Sequence, residues 1–177
     1  MRGLQDAGFT AYVVGGAVRD LLLGHRPKDF DVATNATPEQ IRQCFRNARI
    51  IGRRFQIVHV RSGGEIIEVT TFRGNHAAAQ AGQHSKASES GRLLRDNVYG
   101  TLEEDALRRD LTINALYYDT SSNTLIDQLN GAADIAARMI RVIGVPEERY
   151  REDPVRMLRV LRFSARLQFD LAADTET

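Results

Sequence analysis

The sequence predicts an α+β fold of mixed α/β character, and three observations carry that reading. Short apolar runs rich in Val, Ile and Tyr alternate with helical patterns. The alternation lacks the steady rhythm of a doubly wound parallel sheet, so a mixed sheet flanked by helices is expected. From Pro146 the pattern is helical to about Leu167, which predicts a separate helical element behind the sheet.

In order, "AYVVGG" (11–16) reads as a short buried strand ended by Gly15-Gly16, and "AVRDLLLG" (17–24) as a helix closed by Gly24. "DFDVAT" (29–34) alternates like a strand. Thr37 then caps a helix with Pro38 in its first position, running to about Phe45. "FQIVHVR" (55–61) and "EIIEVTTF" (65–72) flank Ser62-Gly63-Gly64, a hairpin signal. Residues 75–92 hold no apolar side chain larger than Ala. They are expected to form a mobile loop, with a flap over the active site as the functional alternative. "TLEEDALRRD" (101–110) reads as a helix whose Thr101 and Glu104 fit a capping box. "TINALYYD" and "TLIDQL" read as strands, "GAADIAARM" as a short helix and "IRVIG" as a strand or turn.

A chain of 177 residues, 42% of them hydrophobic, suits one domain, or one domain plus part of another. The expected division is a head over 1–144 and the start of a helical domain over 145–177. A net charge of +1 gives no global case for nucleic acid, so any basic surface must be local. One such region runs from Arg138 to Arg166, where eight arginines accompany only four acidic residues. The lone Cys44 excludes an internal disulfide and a four-cysteine metal site, favouring a reducing compartment. Without a long apolar run or a signal-peptide core, the chain is expected to lack an integral membrane segment and to be cytoplasmic.

The chemistry begins with Asp29 and Asp31. At i and i+2 of a strand their carboxylates share a face, roughly 7 Å apart, and repel unless a cation sits beside them. Upstream, Gly15-Gly16 would let backbone N–H groups approach a phosphate closely, and Arg19 could add a charge-assisted contact. Mg²⁺ bridging the aspartates to a triphosphate fits this spacing. Read singly, the same features are a tight turn and a solvated strand end. Glu68, set between Ile67 and Val69 and expected to be buried there, is the candidate third carboxylate, whereas Glu65 abuts the glycine turn, faces the opposite side and is expected to be exposed. Asp153 and Arg156, three apart, are expected on one helix face. There they make either a rigid donor–acceptor edge or an ordinary surface ion pair. Arg159, Arg162 and Arg166 extend the stripe between two apolar faces, Leu158 with Leu161 and Val160 with Phe163, by which this helix is expected to fold back and dock on the head.

Four stretches, "YVVGGAVRDLLLGHRPKDFDVATNATPEQI", "IIEVTTFRG", "EEDALRRDLTINAL" and "YREDPVRMLRVLRF", resemble the class II nucleotidyltransferase family of the polymerase-β-like superfamily. That family holds bacterial poly(A) polymerases and CCA-adding tRNA nucleotidyltransferases. The resemblance implies a nucleotidyltransferase head with a small mixed or antiparallel sheet, followed by a helical neck. It implies metal ligation by Asp29 and Asp31, with Glu68 as third acidic residue, and triphosphate binding by Gly15, Gly16 and Arg19. It implies ribose and phosphate recognition by Arg108, Arg109, Asp110 and Asn114, with Asp110 counted among the catalytic residues, and base reading by Asp153 and Arg156. Leu111 stands where Phe is more usual. Mg²⁺ in a two-metal site, with Mn²⁺ as an alternative, ATP as substrate and RNA 3′ ends as partner follow from the same resemblance.

The stretch "IIGRRFQIVHV" (50–60) resembles the poly(A) version, through Arg53, Arg54, Phe55 and His59, which implies adenylate addition rather than CCA addition. Blind to that resemblance, Arg53 and Arg54 are surface charges and His59 a packed strand residue. Arg53, Arg54, Arg159 and Arg162 are the candidate RNA phosphate contacts. An inert nucleotide- or RNA-binding module is the alternative from a different class.

Overall fold

The computed structural model describes residues 1–52, 56–74, 85–87, 93–96 and 98–176. Its elements are α1 (Arg2–Asp6), β1 (Ala11–Val14), α2 (Gly16–Leu22), β2 (Asp31–Thr34), α3 (Pro38–Cys44), β3 (Ala48–Ile51), β4 (Ile57–Ser62) and β5 (Glu65–Thr71). Then come β6 (Ser85–Ala87), β7 (Leu93–Asp96), α4 (Leu102–Arg108), a 3-10 turn (Thr112–Asn114), β8 (Leu116–Asp119), β9 (Thr124–Asp127), α5 (Gly131–Ala136) and β10 (Met139–Ile140). The chain continues through α6 (Pro146–Glu152), α7 (Val155–Leu167) and β11 (Asp170–Leu171).

Seven strands form one sheet in the order β3-β4-β5-β2-β1-β8-β9. All neighbours are antiparallel except β2 and β5, which run parallel, so the sheet is mixed, as expected. Local chemistry sets several boundaries. Thr37 with Gln40 and Thr101 with Glu104 close reciprocal capping boxes at α3 and α4. Gly63 and Gly64, at φ 59° and 90°, supply the left-handed turn that the β4–β5 hairpin requires.

The two sheet faces are covered unequally. On one, Ala11, Val32, Val58, Val60 and Val69 pack under Leu4 of α1 and Ile41 of α3. Val13 continues that layer toward Ala17 and Val18 of α2, Ile135 of α5 and Val160 of α7. On the other, α4 lays Ala106 and Leu102 over Val14, Ala33, Phe72, Tyr117 and Tyr12. The Tyr12 and Phe72 rings stack at 6.2 Å, and Tyr117 meets both edge-on at 6.5 Å. Such pairs add about 0.5–1.5 kcal/mol each beyond their burial. Among the described residues this cover stops at β2, and on the same face over β5, β4 and β3 Glu68, Arg61 and Arg49 are exposed.

Several expectations are corrected. β2 begins at Asp31, so Asp29 precedes the strand. The helix expected from Pro146 to Leu167 is two helices, because proline excludes the α conformation from the residue before it, and Asp153 is extended at φ −149°, ψ 97°. "TINALYYD" opens with a 3-10 turn before its strand. Residues 48–51 form an edge strand the pattern did not announce. Within 75–92, residues 85–87 form a strand paired with 93–96; the remainder of that segment lies outside the described residues.

Candidate active site

The register of the sheet assembles the site. Asp31 lies opposite Val14 of β1 on one side and Glu68 of β5 on the other. Glu68 lies opposite His59, and His59 opposite Arg49. Registered partners point to the same face, so one row reads Tyr117, Val14, Asp31, Glu68, His59, Arg49, passing from buried core to open edge. Asp31 is the first residue of the row beyond the α4 cover.

His59 Nε2 is 3.4 Å from Glu68 Oε1. The Glu68 side chain is 50% exposed, which corrects the buried setting expected from its neighbours: Ile67 and Val69 face the helices, and Glu68 faces the open side. Burial and the nearby Glu68 carboxylate push the Asp31 carboxyl above its ordinary range, Arg109 opposes them, and Asp29 adds to the rise. Three carboxylates therefore converge electrostatically on the end of β2 although Asp29 stands outside the strand.

Among the described residues, no three His, Cys, Asp or Glu side chains close into a ready-made metal cage. Mg²⁺ commonly takes only one or two protein carboxylates and completes its shell with phosphate oxygens and water. Asp29 and Asp31, with Glu68 alongside, match that donor chemistry; burial chiefly raises Asp31, and the repulsion from Glu68 and Asp29 that adds to it is what a divalent cation relieves.

Next to the carboxylates, Gly15 holds φ 72°, ψ −128°, a conformation open to glycine. Its N–H bonds Leu116 O at 3.0 Å, and a Cβ there would meet Arg109 Nη1 at 3.4 Å. The glycine pair thus brings bare backbone beside Asp31 and makes room for Arg109.

Behind the turn stands a network of tied arginines. Arg109 donates to Asp105 (3.0 Å), to Tyr117 Oη (3.0 Å) and to Asn114 O (3.3 Å). Burial opposes its charge, but Asp105 and Tyr117 outweigh burial and hold its pKa above the ordinary value. Arg19 is buried, 3% exposed. It donates to Asp20 (2.6 and 2.9 Å) and Asn114 Oδ1 (2.7 Å), and lies 5.0 Å over the Phe163 ring. Each nitrogen of the Arg19 guanidinium thus donates to a protein partner. Asn114 Nδ2 donates to Asp110 (3.3 Å), which also accepts from the Leu111 amide (2.8 Å) and from Arg159 Nε (2.6 Å). Burial works against the Asp110 carboxylate, yet Arg159, Asn114 and the Leu111 amide hold it below the usual range. Arg108 donates to Gly74 O at 2.9 Å.

The helices after Pro146 dock on this segment. Arg149 Nη2 donates to the carbonyls of Arg108 and Arg109, both at 2.8 Å, and Arg156 Nη1 donates to Arg109 O at 3.2 Å. The helices fold back onto the sheet domain, and the side chains of Asp153 and Arg156 each bond other partners rather than one another. Arg156 reaches Glu152 at 3.4 Å, while the exposed Asp153 accepts from the Val155 amide at 3.2 Å. Only one apolar face of α7 docks: Val160 is buried, whereas Leu158 and Leu161 are 67% and 58% exposed. Arg162 and Arg166 are exposed on α7, and Arg53 and Arg54 lie outside the described residues. Sequence reasoning missed Asp105, Tyr117 and Arg149. Asp105 was open to it, since Asp105 and Arg109 stand at i and i+4 of a helical pattern; Arg149 carried no local signal.

Residues 11–141 match the family described as the poly A polymerase head domain. The chain is 56% identical to poly(A) polymerase I of Salmonella typhimurium (strain LT2) over 173 residues, 97% of this chain and 37% of that protein. It is 41% identical to a CCA-adding enzyme of Staphylococcus aureus (strain MRSA252), covering 97% of this chain and 40% of the relative. The crystal structure of Bacillus stearothermophilus CCA-adding enzyme in complex with CTP superposes with a TM-score of 0.82 at 40% identity, over 99% of this chain and 40% of that one. The chain thus spans about two fifths of the length of these relatives.

Proposed function

This chain belongs to the poly A polymerase head domain family, and on that premise we propose that it is the catalytic head of an enzyme adding adenylate from ATP to RNA 3′ ends. The observation that carries the proposal is the row in which Asp31 and Glu68 lie side by side on an open sheet face, next to the bare backbone of Gly15-Gly16. The choice of product rests on the higher identity to poly(A) polymerase I than to the CCA-adding relative.

In this reading the RNA 3′-hydroxyl attacks the α-phosphorus of ATP in line; the new P–O bond forms as the bond to pyrophosphate breaks. Divalent cations, Mg²⁺ or Mn²⁺, held by Asp29 and Asp31 together with phosphate oxygens, would lower the hydroxyl pKa and neutralise charge on the leaving group. Gly15 and Gly16 seat the triphosphate, and Arg109, fixed by Asp105 and Tyr117, holds positive charge beside it without reorganising. Arg19, Asn114, Asp110 and Arg159 form a brace that fixes the glycine turn against α7. Glu68 completes the negative site, and Arg156 stands at the boundary with Asp153 for base selection. We divide the chain at 144/145 into head and neck, the arginine contacts to residues 108–110 being the joint. A cytoplasmic setting is part of the same proposal; among the described residues no helix is long and apolar enough to cross a membrane.

The test is extension of a short RNA primer by the full-length protein with each ribonucleotide in turn, followed by sizing. Long adenosine tracts on unrelated primers, with poor use of CTP, are expected. Self-terminating addition of C, C and A to tRNA lacking its end would assign the CCA-adding product to the same head.

A further inference from the structure

Beyond the carboxylates the open half of the sheet face changes character. A cleft of about 450 Å³ is lined by Arg46, Arg49, Arg61 and His59, with Ile51 and Ile66 standing 41% and 52% exposed among them. No acidic side chain lines it among the described residues. Arg46, Arg49 and Arg61 are exposed and form no ion pair among the described residues, in contrast to the bound arginines behind Gly15. Arg49 and His59 continue the register row that begins at Asp31 and Glu68, three strand spacings, about 14 Å, from Asp31 to Arg49.

We propose that this cleft is the track of the RNA primer strand, its 3′-terminal nucleotides crossing β3 and β4 with phosphates on Arg46, Arg49 and Arg61. The inference rests on the nucleotidyl-transfer reading and adds where the primer lies. In-line displacement requires attacking and leaving oxygens on opposite sides of the α-phosphorus. The triphosphate seat, Gly15-Gly16, follows β1 on one side of Asp31, so the attacking hydroxyl arrives from the other side, over Glu68 and His59. Guanidinium groups on that side suit phosphate oxygens, and the two exposed isoleucines give apolar ground for ribose and base. A larger cleft of about 890 Å³ beside Asp29, lined by His25, Arg26, Lys28 and Phe30, also includes Glu65. It lies against the α2–β2 loop rather than along the row, and is less suited to the strand.

The test compares the full-length Arg49→Ala/Arg61→Ala variant with Arg42→Ala/Arg2→Ala, which removes the same charge from α3 and α1 on the opposite face. Binding of a short single-stranded oligoribonucleotide is measured across a salt series, with KM for primer and for ATP. Each lost phosphate contact flattens the slope of log affinity against log salt by about 0.7. The Arg49/Arg61 variant should therefore lose about 1.4 of slope and show a primer KM raised roughly tenfold or more, with KM for ATP unchanged. The Arg42/Arg2 variant should match wild type. Arg49→Glu/Arg61→Glu should enlarge the same changes. If wild type extends RNA while the Arg49/Arg61 variant keeps wild-type slope and primer KM, the track is overturned and the transfer reading stands. If wild-type full-length protein neither binds nor extends RNA, both fall.

Discussion

One face of the sheet is two different surfaces. Over β1 and β8 it is dry: Val14 and Tyr117 are buried and Tyr12 partly so, packed with Ala106 and Leu102 of α4, and the arginine that reaches this side, Arg109, is bound by Asp105 and Tyr117. Over β5, β4 and β3 it is wet and basic, with Arg49 and Arg61 exposed and Glu68 half in solvent. Asp31 stands at the seam. A carboxylate there sits near enough to buried surface to feel desolvation and open enough to meet a substrate. The comparison teaches that the proposed seam lies where the α4 cover ends, and that arginines in one fold stand in two settings: bound ones, such as Arg109, are fixed by Asp105 and Tyr117, and exposed ones, such as Arg49 and Arg61, are left available to a ligand.

The harshest way to break the comparison is at the seam. Asp29→Ala or Asp31→Ala in the full-length protein should cut adenylate incorporation by at least about a hundredfold, with circular dichroism and thermal midpoint preserved. Near wild-type extension by either would remove the seam from the chemistry.

On the dry side, Gly15→Ala forces a side chain into φ 72° and against Arg109. Denaturant unfolding should register a loss of about 1–3 kcal/mol, accompanied by a raised KM for ATP.

A smaller effect is expected at the joint. Asp110→Asn removes the charge that binds Arg159, and since Arg159 is half exposed the loss should be about 1–2 kcal/mol at neutral pH. The sign follows from the depressed Asp110 pKa. Its ionised form stabilises the fold above the unfolded value of about 3.9, and that contribution fades as pH falls through the lower folded value. Wild type and variant should therefore converge in stability in strong acid; a constant gap down to pH 2 would contradict the assignment.

The mildest sharpening concerns Asp31 itself. Its pKa is raised, so ionisation costs stability at pH above the folded value and nothing below the unfolded one. Without divalent cation, Asp31→Asn should unfold at a slightly higher temperature than wild type at neutral pH, and the difference should vanish toward acid. Mg²⁺ with ATP should raise the wild-type midpoint more than that of the variant.

What the sequence disclosed, and what it hid, divides by range of interaction. The capping boxes at Thr37 and Thr101, the Gly63-Gly64 hairpin and the glycine pair were legible because each is settled within a few residues. The facing of Glu68 was legible from strand alternation, but its exposure was not, because that depends on where α4 stops covering the sheet. That Asp153 and Arg156 do not share one helix was hidden in Pro154, whose effect on the preceding residue ends α6 and leaves Asp153 extended. The Asp110–Arg159 pair, the arginines docked on the 108–110 segment and the row from Asp31 to Arg49 join residues far apart in the chain; the row emerges only from strand order and register, the others only from the docking of α6 and α7.

Two glutamates of one strand put the division of the sheet to its most direct trial. Glu65 and Glu68 share β5 but alternate across it, Glu68 registering with Asp31 and Glu65 pairing Ser62 at the hairpin end. The measurement is ATP incorporation into an RNA primer by full-length Glu68→Gln beside Glu65→Gln. A loss of roughly tenfold or more in kcat for Glu68→Gln, with Glu65→Gln close to wild type, is the result expected of a catalytic seam at Asp31 and Glu68. Equal rates for the two variants, or the larger loss at Glu65, would contradict it.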